Sequence, residues 1–168
     1  MAFKTIGSLD PHGGPVVRKA IVANSVTITE EDSVKASSGF VALGTAGALV
    51  LGHVESIVTY DGVGVEDNGA GGDFVGTYTT ASDNQTNAKV SVLVNVSKLY
   101  TYSVDPDDTI GTTTGSDLLG YHTDLADEDN TDESTATTGT AQYFIWGVDP
   151  MDSGNQEVSI YESQVFGV

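Results

Sequence analysis

Along "AKVSVLVNVS", residues 88–97, Ala88, Val90, Val92, Val94 and Val96 fall on one face, while Lys89, Ser91, Asn95 and Ser97 fall on the other. A period of two predicts a half-buried strand. "KLYTYSV" carries the pattern on, with Tyr100, Tyr102 and Val104 on one face, and "EVSIYES" at 157–163 alternates again. "AQYFIWGV" at 141–148 is apolar on both faces, as a central strand or a strand against a subunit is. Upstream, "VVRKAIV", "VTIT", "GFVAL", "ALVLGHVESIVTY" and "DFVGTYTT" are short, rich in β-branched residues and separated by Gly, Ser and Asp. One helix signal exists: "TEED" at 29–32 has the shape of a capping box, but the following "SVKASSG" leaves room for little before Gly39. The pattern predicts an all-β chain, a single-domain β-barrel or β-sandwich of many short strands.

Two kinds of segment depart from that pattern. Residues 1–15 contain Pro11, Gly13, Gly14 and Pro15, which oppose regular structure, together with the apolar Phe3 and Ile6. They predict an extended N-terminal arm ahead of a body spanning 16–168, the apolar pair being anchors that a free tail does not need. "DNGAGG" at 67–72 reads as a loop tip, and "TDLADEDNTDESTATTG" at 123–139 as a long acidic loop without apolar periodicity.

An Asp-Pro step occurs twice after an apolar stretch, as "VDPDD" at 104–108 and "VDPMD" at 148–152. Asp at the first position of a turn bonds its own backbone two residues on, and Pro at the second presets φ, so the pair predicts two equivalent corners. The competing reading is a calcium or magnesium site using Asp105, Asp107 and Asp108.

Composition narrows the function. A formal charge of −18, with six basic against 24 acidic residues, argues against binding to nucleic acid, which needs Lys and Arg to neutralise phosphates. The charge is uneven: residues 1–35 hold four of each sign, and two basic and twenty acidic residues remain for the rest. A neutral end on an acidic body suits an end fitted to a partner and a body dispersed in water; an acidic proteome from a salty habitat is the other source of such a charge. With no cysteine, disulfides, thiolate metal sites and Cys nucleophiles are excluded. The opening has no apolar signal region, and the longest apolar run, 41–54, is too short and Gly-broken to cross a bilayer as a helix, so neither a secretory route nor a membrane anchor is expected.

Candidate chemistry is sparse. Asp127, Asp129 and Asp132 resemble the start of a calcium loop, but Asp132 stands where Gly is needed and Thr138 where Glu is, so an acidic solvated excursion is expected instead. His12, His53 and His122 are scattered and predict surface or satisfied core roles rather than metal ligands. No nucleophile elbow, phosphate loop or zinc-binding helix appears, so no catalytic residue, metal ligand or cofactor site is assigned. Tyr143, Phe144 and Trp146 form the densest aromatic cluster and are expected in the core, an exposed interface strand being the alternative.

Taken together, "DSVKASSGFVALGTAGALVLGHVESIVTYDGVGV", "GTYTTASDNQTNAKVSVLVNVSKLYTYS", "TIGTTTGSDLLGYHTDLADEDNTDES" and "AQYFIWGVDPMD" resemble the small all-β proteins that decorate or cement the heads of tailed bacteriophages. The likeness rests on soft strand-and-glycine patterns over most of residues 26–163. It implies a virion protein on the capsid exterior, made in the host cytoplasm, without enzyme activity. Its partner is then the major capsid protein, bound in many copies and often as a trimer. On that reading the neutral arm makes the capsid contact, with Phe3, Lys4, Ile6, Arg18 and Lys19 as the candidates. A calcium-stabilised receptor-binding or adhesive module of a virion is the alternative.

Overall fold

The computed structural model describes residues 3–8, 16–59, 74–96, 100–107, 120–132 and 141–161, and it is all-β apart from one helical turn. The N-terminal half contains β1 (Lys4–Ser8), β2 (Val17–Ile21), β3 (Thr27–Thr29), β4 (Ser33–Ser37), β5 (Phe40–Leu43), β6 (Gly52–Thr59), β7 (Phe74–Val75), β8 (Thr77–Thr79), the turn α1 (Asn84–Asn87) and β9 (Val90–Asn95). The C-terminal half contains β10 (Tyr100–Pro106), β11 (His122–Leu125), β12 (Asn130–Asp132), β13 (Tyr143–Asp149) and β14 (Asp152–Ile160).

Each half closes on itself. In the first, antiparallel pairing runs β2-β9-β6-β4-β5, and a parallel bridge from Val22 to Val41, with the Ala23 N–H donating to the Val41 carbonyl at 2.8 Å, brings β5 back to the end of β2. In the second, β10-β14-β13-β11-β12 pair antiparallel, and β12 returns to β10 in parallel through Asp105↔Asn130 and Pro106↔Thr131. The two rings share one pairing scheme, in which β2, β4, β5, β6 and β9 correspond to β10, β11, β12, β13 and β14. Closure gives every ring strand a partner on both sides and removes the exposed edges on which open sheets aggregate.

The alternation read from the sequence is the reason β9 forms: Val90, Val92 and Val94 enter the first core with Val22, Ile28, Val34, Val41, Val54 and Ile57. That core is entirely aliphatic. Asn84 secures the ring where α1 meets it, its amide donating to the carbonyls of Val22 and Val90 and its oxygen accepting the Val90 N–H. The second core is partly aromatic: Phe3, Tyr102 and Tyr143 pack with Val50, Val104, Leu125, Ile145, Val158 and Ile160.

Three sequence expectations change, while the described part of the arm is held to the body: Phe3 is 1% exposed, and Lys4–Ser8 pair antiparallel with β10, because burying the Phe3 ring and filling a ladder fixes the segment. Residues 9–15 lie outside the described residues. The acidic loop is in part a hairpin, since β11 and β12 occupy 122–125 and 130–132. Their buried polar side chains are partnered, Thr123 Oγ1 donating to the Asp132 carbonyl and Thr131 Oγ1 to Gln156 Oε1. Polar composition concealed these strands. Residues 133–139 of that loop, and the tip at 67–72, are outside the described residues.

The Asp-Pro steps are not equivalent. Asp149 opens the two-residue turn from β13 to β14, its Oδ1 accepting the Met151 N–H at 2.8 Å, as the turn chemistry requires. Asp105 and Pro106 instead continue β10 into the parallel ladder, where the Asp107 N–H donates to the Thr131 carbonyl at 2.9 Å. Pro is tolerated there because it sits at the end of the strand. "TEED" forms a tight β3–β4 turn, with Glu31 at φ 75° and the Thr29 N–H donating to Asp32 Oδ2.

Candidate interaction surface

The two-faced apolar segment 141–148 resolves into two roles. Tyr143 and Ile145 point into the second core, while Phe144 is half-buried on the outside and Trp146 and Val148 are 38% and 40% exposed. The outward aromatics form a continuous strip across β11, β13 and the residue after β14. His122 meets Phe144 edge-on at 5.4 Å and Tyr161 at 4.5 Å, and Phe144 meets Trp146 at 4.7 Å between ring centroids. Tyr121, 45% exposed, precedes His122.

Local structure explains how Trp146 reaches the surface. The β13–β14 register slips between Ile145 and Gly147, leaving Trp146 as the extra residue of a bulge, and Gly147 takes φ 144°, a conformation open to glycine. The indole is then held by its Nε1–H, which donates to Ser159 Oγ at 3.0 Å. A pinned aromatic on a closed ring loses little side-chain freedom on binding, and such residues dominate interface energetics. The expectation that Trp146 and Phe144 lie in the core is corrected here, whereas Tyr143 does lie there. The signal for an outer contact was in the sequence, in the absence of any polar face along 141–148.

The five candidate contact residues do not gather in one place. Phe3 is withdrawn into the core. Ile6 lies in β1, its side chain outside the described set. Lys4 is exposed on β1, beside a shallow cleft of about 450 Å³ lined also by Thr5, Ser103, Asp149, Asp152 and Asn155. There the Ser103 hydroxyl holds the Asp149 carboxyl below its ordinary range, helped by the N–H groups of Met151 and Asp152 and by Lys4. Arg18 and Lys19 are exposed on β2, on the other ring.

The joint between the rings carries a cluster of buried polar groups. Tyr143 Oη lies 2.9 Å from Ser33 Oγ and 3.0 Å from His53 Nε2, and the His53 ring packs on Tyr102 and Phe3 at 4.0 and 4.6 Å. Hydroxyl beside imidazole suggests nucleophilic catalysis, but all three groups are buried beyond the reach of a substrate. Burial lowers the His53 pKa to about 3, keeping the ring neutral, and raises those of Tyr102 and Tyr143 above the ordinary phenol range. Gln142 ties the joint further, its amide donating to the carbonyls of Thr45 and Ala48 and its oxygen accepting the Leu125 N–H.

Among the described residues, no group of three or more His, Asp or Glu side chains is placed to hold a metal ion, and no helix is long and apolar enough to cross a membrane. Asp127 spends Oδ1 on the N–H groups of Asp129 and Asn130, each at 2.9 Å, in a local turn. Asp108 is outside the described residues. No family model matches the chain, and neither a curated protein nor a solved structure matches it.

Proposed function

We propose that this chain is a decoration protein of a tailed-bacteriophage head, which binds the outer face of the major capsid lattice and stabilises the assembled shell. The observation that carries this reading is the aromatic strip of Phe144 and Trp146, fixed on the outside of a closed ring and flanked by His122 and Tyr161. A contiguous apolar strip on an otherwise strongly acidic chain is suited to a protein partner. The resemblance of the strand and glycine segments supplies the kind of partner, and a charge of −18 keeps decorated particles dispersed. Ligands that bind only the assembled state stabilise it by mass action, so modest affinity in many copies suffices. The contact is reassigned from the opening residues to the strip, because Phe3 is internal; Arg18 and Lys19 remain exposed for a second contact.

The test is co-sedimentation with purified capsid shells of the phage that encodes the chain. The wild-type protein is expected to pellet with shells, and Trp146→Ser with Phe144→Thr to lose retention by tenfold or more. The double variant should keep a melting temperature within a few degrees, since neither side chain fills the core. Failure of the wild-type protein to bind shells overturns the function; equal retention of the variant overturns the contact face.

A further inference from the structure

Two turns from different rings meet at the joint. The β3–β4 turn brings Asp32, and the β11–β12 turn brings Glu128 and Asp129; the Ser33 N–H donates across the gap to the Glu128 carbonyl at 3.0 Å. Asp32 is 3% exposed, and its Oδ2 already accepts the Thr29 N–H at 2.7 Å. The Asp129 carboxyl lies close enough to act on it directly. Asp129 Oδ1 is itself buried, and no backbone or other neutral donor among the described residues reaches it. Two carboxylates in contact repel, and a buried acceptor without a donor is costly. One proton between them removes both problems, since a protonated Asp32 becomes the donor that Asp129 lacks.

We propose that a proton shared by Asp32 and Asp129 latches the two rings together, so that the joint is closed at mildly acidic and neutral pH and loosens as the solution becomes alkaline. The charges facing the pair do not supply a substitute. Glu128 and Asp129 come from the opposite turn and Glu31 from Asp32's own turn; β6 brings His53, which is neutral, and Glu55; Lys4 of β1 acts on Glu31. Burial, opposed by the Thr29 N–H and reinforced by Asp129 and Glu128, raises the pKa of Asp32 to about 8. The sign follows: the closed joint keeps a proton that an opened Asp32 gives up above its ordinary value near 3.8, so closure is favoured fully below that value and the advantage is lost as pH rises to about 8. A linkage of one proton makes opening about tenfold more frequent per pH unit in that range.

Hydrogen exchange of the Ser33 amide in the full-length protein, divided by its intrinsic rate at each pH, reads the joint directly. Wild-type protection is expected to fall by about tenfold per unit between pH 6 and pH 8, while amides in the middle of β9 hold steady. Asp32→Asn keeps an acceptor for Thr29 and a permanent donor for Asp129, so its Ser33 protection is expected not to change with pH; Asp129→Asn gives the same outcome should the first variant fold poorly. A wild-type Ser33 amide whose protection does not change over this range, or a variant that loses protection in parallel with the wild type, overturns the latch.

Discussion

The two rings follow one pairing diagram and are filled and faced differently. The first encloses valines and isoleucines alone, and among its exposed large apolar residues Val16, Leu49 and Tyr78 are scattered outside or between its ring strands. The second encloses three aromatic rings and carries Phe144 and Trp146 in contact on the outer face of one strand. Topology is therefore indifferent to function here. What separates the halves is which face of an equivalent strand, β6 or β13, was given aromatic residues, and that is where a binding role is to be sought.

The largest effect that tests this equivalence comes from glycine. At the start of β6, a Cβ on Gly52 falls 2.1 Å from the Asn95 carbonyl oxygen on β9, whereas one on Gly147 of β13 meets nothing within 4 Å, although φ is 144°. Gly52→Ala is expected to cost about 3 kcal/mol or more from backbone displacement and strain, and Gly147→Ala only about 1 kcal/mol from strain. Urea unfolding measures both. Equal costs would show that the β6–β9 approach is not as close as the structure has it.

Next is a contrast within the second ring. Tyr143→Phe strips the partner from Ser33 Oγ and His53 Nε2, both buried, and is expected to destabilise by about 2 kcal/mol. Tyr102 Oη is buried without a partner among the described residues, so Tyr102→Phe removes an unsatisfied group and is expected to be neutral or stabilising. Denaturant midpoints distinguish the two; a loss in Tyr102→Phe matching that in Tyr143→Phe contradicts this account of the joint.

The smallest effect lies in the acid limb. His53 titrates near 3 when folded and near 6.5 when unfolded, so the unfolded chain binds the extra proton between those values and stability rises with pH across them. Asp32 acts in the opposite sense between about 3.8 and about 8. The two oppose each other up to about pH 6.5, above which the Asp32 decline stands alone. Melting temperature is therefore expected to be nearly level from pH 4.5 to 6.5 and to fall by several degrees by pH 8. His53→Gln removes the rising part, so the decline should begin near pH 4.5; an unchanged profile would show that His53 is protonated in the folded state.

The sequence legibly encoded what neighbouring residues settle among themselves. The alternation of Val90, Val92 and Val94 made β9 visible, and Asp149-Pro150 announced a turn whose Asx bond forms within three residues. The same dipeptide at 105–106 misled, because the choice between corner and ladder was made by Thr131 on another strand. β11 and β12 were hidden for a related reason: Thr123 and Thr131 are polar, and they are buried because partners from other strands satisfy them, while the buried Asp124 accepts the Gly47 N–H from a distant loop.

Nothing in the order of residues places Ser33 against Tyr143, 110 positions away, or Asp32 against Asp129. Strand class, turn chemistry and overall charge are local or additive quantities, so the chain alone determined them. Ring closure, the burial of Phe3, the outward turn of Trp146 and the meeting of two carboxyls depend on contacts between distant segments, whose free energy exists only once both are held in place, and these the tertiary structure decided.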